Sequence, residues 1–366
     1  MQGPAYRPAA IGAAGRNPGP HAALAVGPRR HRLLAPRLGA QRRLQIALGL
    51  IWLADGALQF QPFMFGRSFV AKVIAPNAVG QPAFVARPVT VIAHLIEPRV
   101  VLFNLFAATL QVVIGLGLIY RPTVRAALLA SFARALGVWW VGEGLGGLFT
   151  GTASPLTGAP GPALLYVLAG STLWPRSAQD CDCAAAGALG ERGVRSAWAA
   201  LWLGSAALWL LPANRAAGAV HDAIARAPSG ASWLTSVHSS LATATAGRGL
   251  ELAIVAASLS AAIGLAVLVD RGRKPALAMS IAIALIYFVV GQGMGGILTG
   301  SGTDPGTGPL LILLAVALYP RNRSRQPRDT GIDPRGVESH SRAVAESRDG
   351  TRSALVGAGS PARSGS

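Results

Sequence analysis

Residues 142–151 read GEGLGGLFTG and residues 291–300 read GQGMGGILTG, at a spacing of 149. A second pair of segments keeps almost the same spacing, because GLIWLADGALQFQP at 49–62 aligns with AALWLGSAALWLLP at 199–212 at an offset of 150. Similar segments in register at one spacing are typical of an internal repeat. We therefore predict that the central part of the chain is a duplicated unit.

The composition favours a membrane protein, because 51% of the 366 residues are hydrophobic and only 13% are charged. The net charge of +18 comes mostly from the two ends. Residues 1–43 contain eight arginines and no acidic residue, and residues 321–366 contain nine arginines and five acidic residues. Both ends are rich in small and polar residues, which predicts disordered tails. We expect them to be attracted to anionic lipid headgroups and not to nucleic acid, since their arginines are not interleaved with aromatic residues.

Eight segments come near the requirement of about 20 apolar residues for crossing a hydrocarbon core of about 30 Å. The shortest ones end at an interfacial aromatic residue or at proline. The more polar stretches 61–99 and 213–248 are expected to form helical caps on one side of the membrane. The predicted spans are residues 44–60, 100–120, 124–149, 162–173, 197–211, 250–269, 275–298 and 309–319.

The sequence therefore predicts an all-α membrane protein with eight transmembrane helices in two four-helix repeats, residues 44–175 and 197–320, joined by a cytoplasmic linker at 176–196. An even number of spans makes the two repeats parallel. With the N-terminus inside, 25 lysines and arginines lie on the cytoplasmic side and 7 on the other. The positive-inside rule then places both termini in the cytoplasm of a bacterial plasma (inner) membrane.

Ionisable side chains near the spans are costly to insert into lipid and are candidates for function. One hypothesis places Asp55, His94, Glu97 and Glu143 in a single outward-facing pocket that passes protons or holds a cation or a quinone headgroup. The alternative is that these charges only neutralise one another, with Arg134 as a partner of Asp55 or Glu143. On a straight α-helix, Arg134 and Glu143 point in opposite directions, because they are nine residues apart.

The second half has neutral residues at the aligned positions: Ser205 aligns with Asp55, Ile283 with Arg134 and Gln292 with Glu143. We include Gln292 among the pocket candidates. The glycines of the repeated motif are spaced as in close helix crossings of membrane proteins. An alternative is that they loosen the helix ends around a solute vestibule. The predicted helix-packing glycines are Gly142, Gly144, Gly146, Gly147, Gly291, Gly293, Gly295 and Gly296.

Two histidines, His94 and His238, precede the second span of each half, and such a pair is able to ligate haem. The alternative is that both are ordinary histidines with satisfied rings. The single C-x-C of Cys181 and Cys183 is expected to be reduced in a cytoplasmic linker, and no metal site is predicted. No hydrolase or metalloprotease motif is present, so the sequence favours binding or transport over catalysis.

Two stretches of the first half resemble the DoxX-like group of small four-helix bacterial membrane proteins. They are RRLQIALGLIWLADGALQF at 42–60 and LQVVIGLGLIYRPTVRAALLASF at 110–132, where a Gly-rich span meets the next one at a short basic turn. The GEGLGGLFTG segment lies outside that pattern and looks more like segments of uncharacterised actinobacterial membrane proteins. The resemblance implies an accessory subunit linked to quinone and thiol redox partners, and it transfers no catalytic residue.

Three functions stay open at this point. The first is a DoxX-like, redox-associated membrane subunit, with quinone or haem as the cofactor and a redox membrane protein as the partner. The second is a small-solute or proton-coupled permease in which Asp55 and Glu143 carry protons. The third is a membrane scaffold without chemistry.

Overall fold

The computed structural model describes residues 39–175, 183–269 and 272–320. The chain divides into Met1–Leu38 and Gly39–Ser366, and every helix described below belongs to the second part. Most of both predicted tails lies outside the described residues. The first helix begins at Ala40, so the predicted boundary of the N-terminal tail at residue 43 is a few residues too late.

The described part of the chain is helical and contains no strand, which confirms the all-α prediction. Ten of its helices have twelve residues or more. They are α1 (Ala40–Leu58), α2 (Ala83–Ile96), α3 (Val100–Ile119), α4 (Val124–Gly137), α5 (Pro162–Leu173), α6 (Gly190–Trp209), α7 (Ser232–Thr245), α8 (Gly249–Ala266), α9 (Arg273–Ile286) and α10 (Thr307–Leu318). The shorter helices are Pro62–Phe65, Arg67–Phe69, Val70–Ile74, Ala75–Ala78, Glu97–Arg99, Arg121–Thr123, Val138–Gly142, Gly144–Gly147, Pro212–Arg215, Ala219–Ala225, Tyr287–Gly291 and Gly293–Thr299.

Four helical segments within the described ranges are long and apolar enough to cross a membrane: Ala83–Ile119, Arg121–Gly142, Gly249–Ala266 and Arg273–Gly291. The first of them joins α2 to α3, so the predicted cap before the second span is continuous with that span. By contrast, α5 and α10 have 12 residues each. A 12-residue helix is about 18 Å long, which is shorter than a hydrocarbon core.

The helices pack in two similar pairs, α1 along α3 and α6 along α8. In the first pair the backbones touch at Gly49 and Gly115. A Cβ atom on either glycine would lie 2.8 Å from the carbonyl oxygen of the other. Between the pairs, α5 and α10 contact each other and are largely buried in one hydrophobic core formed by both halves.

The long spans predicted at 124–149 and 275–298 are not uniform α-helices. After α4 the backbone forms a π-helical turn, Val138–Gly142, and then a tight turn at Gly144–Gly147. After α9 it does the same at Tyr287–Gly291 and Gly293–Thr299. The chain leaves the helix at these points and crosses a loop before α5 or α10 begins.

The linker between the halves also differs from its prediction. Helix α6 begins at Gly190, seven residues before the span predicted at 197–211, because residues from the linker extend it. Cys183 is disulfide-bonded, so the expectation of a reduced thiol is wrong there. Cys181 lies outside the described residues.

The turn after α4 supplies a stability prediction. Gly146 has a φ of +65°, and a Cβ atom there would lie 2.0 Å from the carbonyl oxygen of Pro160. Gly146→Ala should therefore lower the free energy of unfolding by about 2 kcal/mol or more, from steric conflict and backbone strain. The measurement is the thermal unfolding midpoint of the detergent-purified protein.

The matched control is Gly137→Ala, because Gly137 ends α4 and a Cβ atom there would meet nothing within 4 Å. Alanine favours helix, so this variant should unfold at the wild-type temperature or slightly above it. Equal unfolding midpoints for the two variants would contradict the role assigned to the turn.

Candidate functional site

A cavity of about 280 Å³ lies in the first half of the protein, and we call it the inner cavity. One wall is apolar and comes from the segment before α2, from α2 itself and from α3. Other lining residues carry charged and hydroxyl groups. The apolar wall includes Phe69, Ile74, Ile92, Ile96 and Phe103, and the polar lining residues include Asp55, Arg134, Glu143, Tyr166 and Asp304.

Asp55 lies near the end of α1 and is only 2% exposed. The hydroxyl group of Tyr166, from α5, donates a hydrogen bond to Asp55 Oδ2. The other oxygen, Oδ1, is buried and has no hydrogen-bond partner. Trp52 lies one turn earlier on α1, and the centroid of its ring is 4.3 Å from that of Tyr166. Its Nε1 donates a hydrogen bond to Ser131 Oγ at 3.1 Å. The carboxylate is therefore held in place with one oxygen free.

Glu143 follows the π-helical turn and reaches the beginning of α5. Its Oε1 accepts a hydrogen bond from the backbone N–H of Ala163 at 3.0 Å. This contact satisfies an N–H group that has no partner within the helix, and it places a carboxylate where the helix dipole favours negative charge. The second oxygen, Oε2, is buried and has no partner. Glu143 thus resembles Asp55 in having one fixed and one free oxygen.

Asp304 comes from the second half, in the loop before α10, yet it lines the inner cavity of the first half. Its Oδ2 accepts from the Thr303 hydroxyl at 2.8 Å and its Oδ1 from the Gly306 N–H at 2.7 Å. Burial raises the pKa of the Asp304 carboxyl above its ordinary value, and these two hydrogen bonds oppose the rise. Sequence reasoning missed Asp304, because it belongs to a loop outside the aligned polar positions.

Arg134 and Glu143 line the same cavity, so the expectation that they point in opposite directions is wrong. The reason is the π-helical turn Val138–Gly142 between them. A π turn holds one residue more than an α turn, and this rotates the following residues by about 100°. Arg134 makes no ion pair within 4 Å with either carboxylate in the described part of the chain, so the expected neutralising pair is not formed as a direct contact.

A second, wider space of about 1150 Å³ lies between the loops of the two halves, and we call it the vestibule. It shares part of its lining with the inner cavity, including Gly142, Glu143 and Asp304. The two spaces therefore adjoin at the carboxylates. Two hydroxyl pairs in the vestibule have the same geometry: Thr150 with Thr152 and Thr299 with Ser301, each at 2.8 Å between Oγ atoms.

The second half keeps the helix cap of the first half without the charges. Gln292 Oε1 accepts from the Thr307 N–H of α10 at 2.8 Å, and Gln292 Nε2 donates to the Thr307 hydroxyl at 2.9 Å. The space beside Ser205 and Tyr287 measures only about 20 Å³. Gln292 itself lines the vestibule and not the inner cavity. A space of ligand size is therefore found in the first half.

His94 and Glu97 are exposed and do not line either space, so the structure does not bring them together with Asp55 and Glu143. His238 is buried, with Nδ1 2.8 Å from Ser229 Oγ and Nε2 3.0 Å from the carbonyl oxygen of Val289. Both ring nitrogens of His238 are engaged, and an exposed His94 has no enclosed space beside it. These residues do not fit a bis-histidine haem site.

The motif glycines do not form the helix crossing expected from their spacing. They lie in and around the turns after α4 and α9, and most of them lie against backbone of other segments. A Cβ atom at Gly144 would lie 2.6 Å from the carbonyl oxygen of Asn77, at Gly291 2.0 Å from that of Leu156, and at Gly293 1.8 Å from that of Pro228. The glycines therefore allow the loops around the vestibule to pack against the turns.

The raised pKa of Asp304 predicts a pH-dependent difference between wild type and Asp304→Asn. Asparagine keeps an acceptor for the Gly306 N–H, so the loop should fold. In the wild type, ionisation of a carboxyl whose pKa is raised by folding costs stability as pH rises above the unfolded value. As pH rises from about 4 to about 8, the unfolding midpoint of Asp304→Asn should therefore increase relative to that of the wild type. A difference that stays constant over this range would contradict the prediction.

The site thus combines two free carboxylate oxygens, a guanidinium group and an apolar wall beside a wide polar entrance. Such an arrangement can hold a proton or a small polar group at the carboxylates and cover an apolar body at the wall. Comparison of the chain with family models, with curated proteins and with solved structures gave no match.

Proposed function

We propose that this chain is a small-solute permease of a bacterial plasma membrane, working with protons that Asp55 and Glu143 carry. The observation that carries the proposal is that two carboxyl groups, Asp55 and Glu143, each have one buried oxygen without a hydrogen-bond partner. The amide oxygens of Gln59 and Gln111, which also line the inner cavity, are likewise buried and without a partner. Buried polar atoms without partners are rare in proteins and mark places where a ligand, water or proton completes the site. Asp55 and Glu143 both line the inner cavity, which adjoins the wide vestibule.

The short helices support transport over a purely structural role. Irregular backbone at membrane depth is tolerated only where protein surrounds it or where it lines a water-filled space. Helices α5 and α10 begin after such irregular segments and are enclosed by the longer helices. Discontinuous helices whose ends meet at a binding site are a feature of secondary transporters.

Two parallel four-helix repeats, with eight spans in all, are the arrangement that we propose for the whole chain. Backbone conformations that recur at the spacing of 149 support it. The π-helical turns Val138–Gly142 and Tyr287–Gly291 keep that spacing. So do Leu145 and Met294, the two non-glycine residues with positive φ in the described ranges. The excess of basic residues on the predicted cytoplasmic side supports N-in and C-in orientation, with the vestibule facing outward and both tails near anionic lipids.

The DoxX-like redox subunit remains a hypothesis that rests on sequence resemblance. The apolar wall of the inner cavity has a composition that suits a quinone ring, with Phe69 and Phe103 among its residues. A quinone carbonyl group needs a donor, and Asp55 and Glu143 offer one only in their protonated forms. The permease therefore accounts for more of the cavity than the redox subunit or a scaffold does.

The test is solute-driven proton movement in proteoliposomes that contain a pH-sensitive dye. A panel of amines, sugars and carboxylates is added outside, and the change in internal pH is recorded. Asp55→Asn and Glu143→Gln should each reduce the response by roughly tenfold or more, because the carboxyl groups that carry the proton are gone.

Glu97→Gln is the matched control, since it removes an exposed carboxylate that lines neither space. It should leave the response at the wild-type level. A response that persists in both cavity variants, or that Glu97→Gln lowers equally, would overturn the proposal.

A further inference from the structure

We infer that the solute is a small organic cation, a protonated amine with an apolar body, whose ammonium group binds at the carboxyl groups of Asp55 and Glu143 in the inner cavity. This inference rests on the proposed solute site and adds the chemical class of the ligand. Three independent features of the inner cavity carry it: the balance of charges, the type of free hydrogen-bonding atom, and the composition of the wall.

The charges that line the inner cavity are unequal. Three carboxyl groups, those of Asp55, Glu143 and Asp304, face one guanidinium group, that of Arg134. Among the lining residues there is no lysine and no histidine. Arg134 forms no ion pair within 4 Å with these carboxyl groups in the described part of the chain. When the carboxyl groups are ionised, a cation entering the cavity finds acidic groups without a direct cationic partner, whereas an anion meets more acidic than basic groups.

The oxygens without hydrogen-bond partners also favour a ligand that donates hydrogen bonds. Both oxygens of Asp304 already accept hydrogen bonds, from Thr303 and Gly306. Asp55 and Glu143 each retain one buried oxygen without a partner. Carboxylate oxygens only accept, and an ammonium group carries three donors and no acceptor. Charge-assisted hydrogen bonds of this kind are stronger than neutral ones.

The apolar wall and the volume of the inner cavity indicate the polarity and the size of the rest of the ligand. Phe69, Ile92 and Phe103 contribute apolar surface to the same cavity as the carboxyl groups, and Trp52 and Tyr166 also line it. Aromatic faces near an ammonium group add cation–π attraction. A cavity of about 280 Å³ is at the small end of the usual range for ligand sites. It therefore suits a molecule with a single ring or a short branched chain.

Cation and proton compete for the same oxygens, which gives the coupling that a proton-linked permease needs. The titratable and charged groups facing this place are Asp55 from α1, Arg134 from α4, Glu143 after the π turn, Tyr166 from α5 and Asp304 from the loop before α10. The residues contributed by α2 and α3 are apolar or amides and do not titrate. Binding of the cation should therefore weaken as pH falls, because protons occupy the carboxylates.

The experiment is isothermal titration of the detergent-purified full chain with three probes of similar size: benzylamine, benzyl alcohol and phenylacetate. Benzylamine should bind at least tenfold more tightly than either of the others. Its affinity should fall at least tenfold in Asp55→Asn and in Glu143→Gln and stay at the wild-type value in Glu97→Gln. Gln292 already caps a helix in the second half, so glutamine at position 143 should keep the cap and the fold.

Tighter binding of benzyl alcohol or phenylacetate than of benzylamine would overturn the inference that the solute is a cation. If one of these binds and Ile92→Trp, which fills the apolar wall, abolishes its binding, the solute site survives without the cation. If none of the three probes binds and Ile92→Trp leaves solute-driven proton movement intact, the solute site itself is wrong. Equal benzylamine affinity in Asp55→Asn, Glu143→Gln and the wild type would also overturn the inference.

Discussion

The structure depends on how the first backbone N–H groups of the short helices α5 and α10 are satisfied. Each of these helices begins after a longer helix has been interrupted. Glu143 and Gln292 solve this problem in the two halves, by accepting hydrogen bonds from the first N–H groups of α5 and α10. An N–H group left unpaired in an apolar environment is costly. The caps therefore permit two short helices in the centre of the protein, and the loops before these helices form the walls of the vestibule.

Glu143 and Gln292 also give the two halves different chemical properties. Gln292 accepts from one backbone N–H group and donates to the hydroxyl group of the same residue, Thr307, so both of its polar atoms have partners and no charge remains. Glu143 also accepts from one backbone N–H group but retains a free oxygen. Together with Ser205 in place of Asp55 and Ile283 in place of Arg134, this makes one half a charged cavity and the other a packed support. The aligned backbones thus carry different polar groups at a few positions.

The inner cavity also belongs to both halves, because Asp304 crosses from the second half into the first. Movement of the loop before α10 would change the charge that Asp55 and Glu143 experience. The glycine turns around the vestibule place loop backbone within contact distance of the helix ends, so the loops and the helix ends are mechanically connected. The loops that line the vestibule are therefore connected to the carboxyl groups of the inner cavity.

The sequence by itself determined the helical class, the apolar segments and the paired motifs, and it marked Asp55 and Glu143 as candidates, because hydropathy and the cost of charge in lipid are properties of local sequence. Only the tertiary structure decided which polar groups meet. The π-helical turn changed the direction of Glu143 relative to Arg134. The fold left His94 and Glu97 exposed, and a distant loop delivered Asp304. These outcomes depend on contacts between residues far apart in the chain, and neither periodicity nor composition records such contacts.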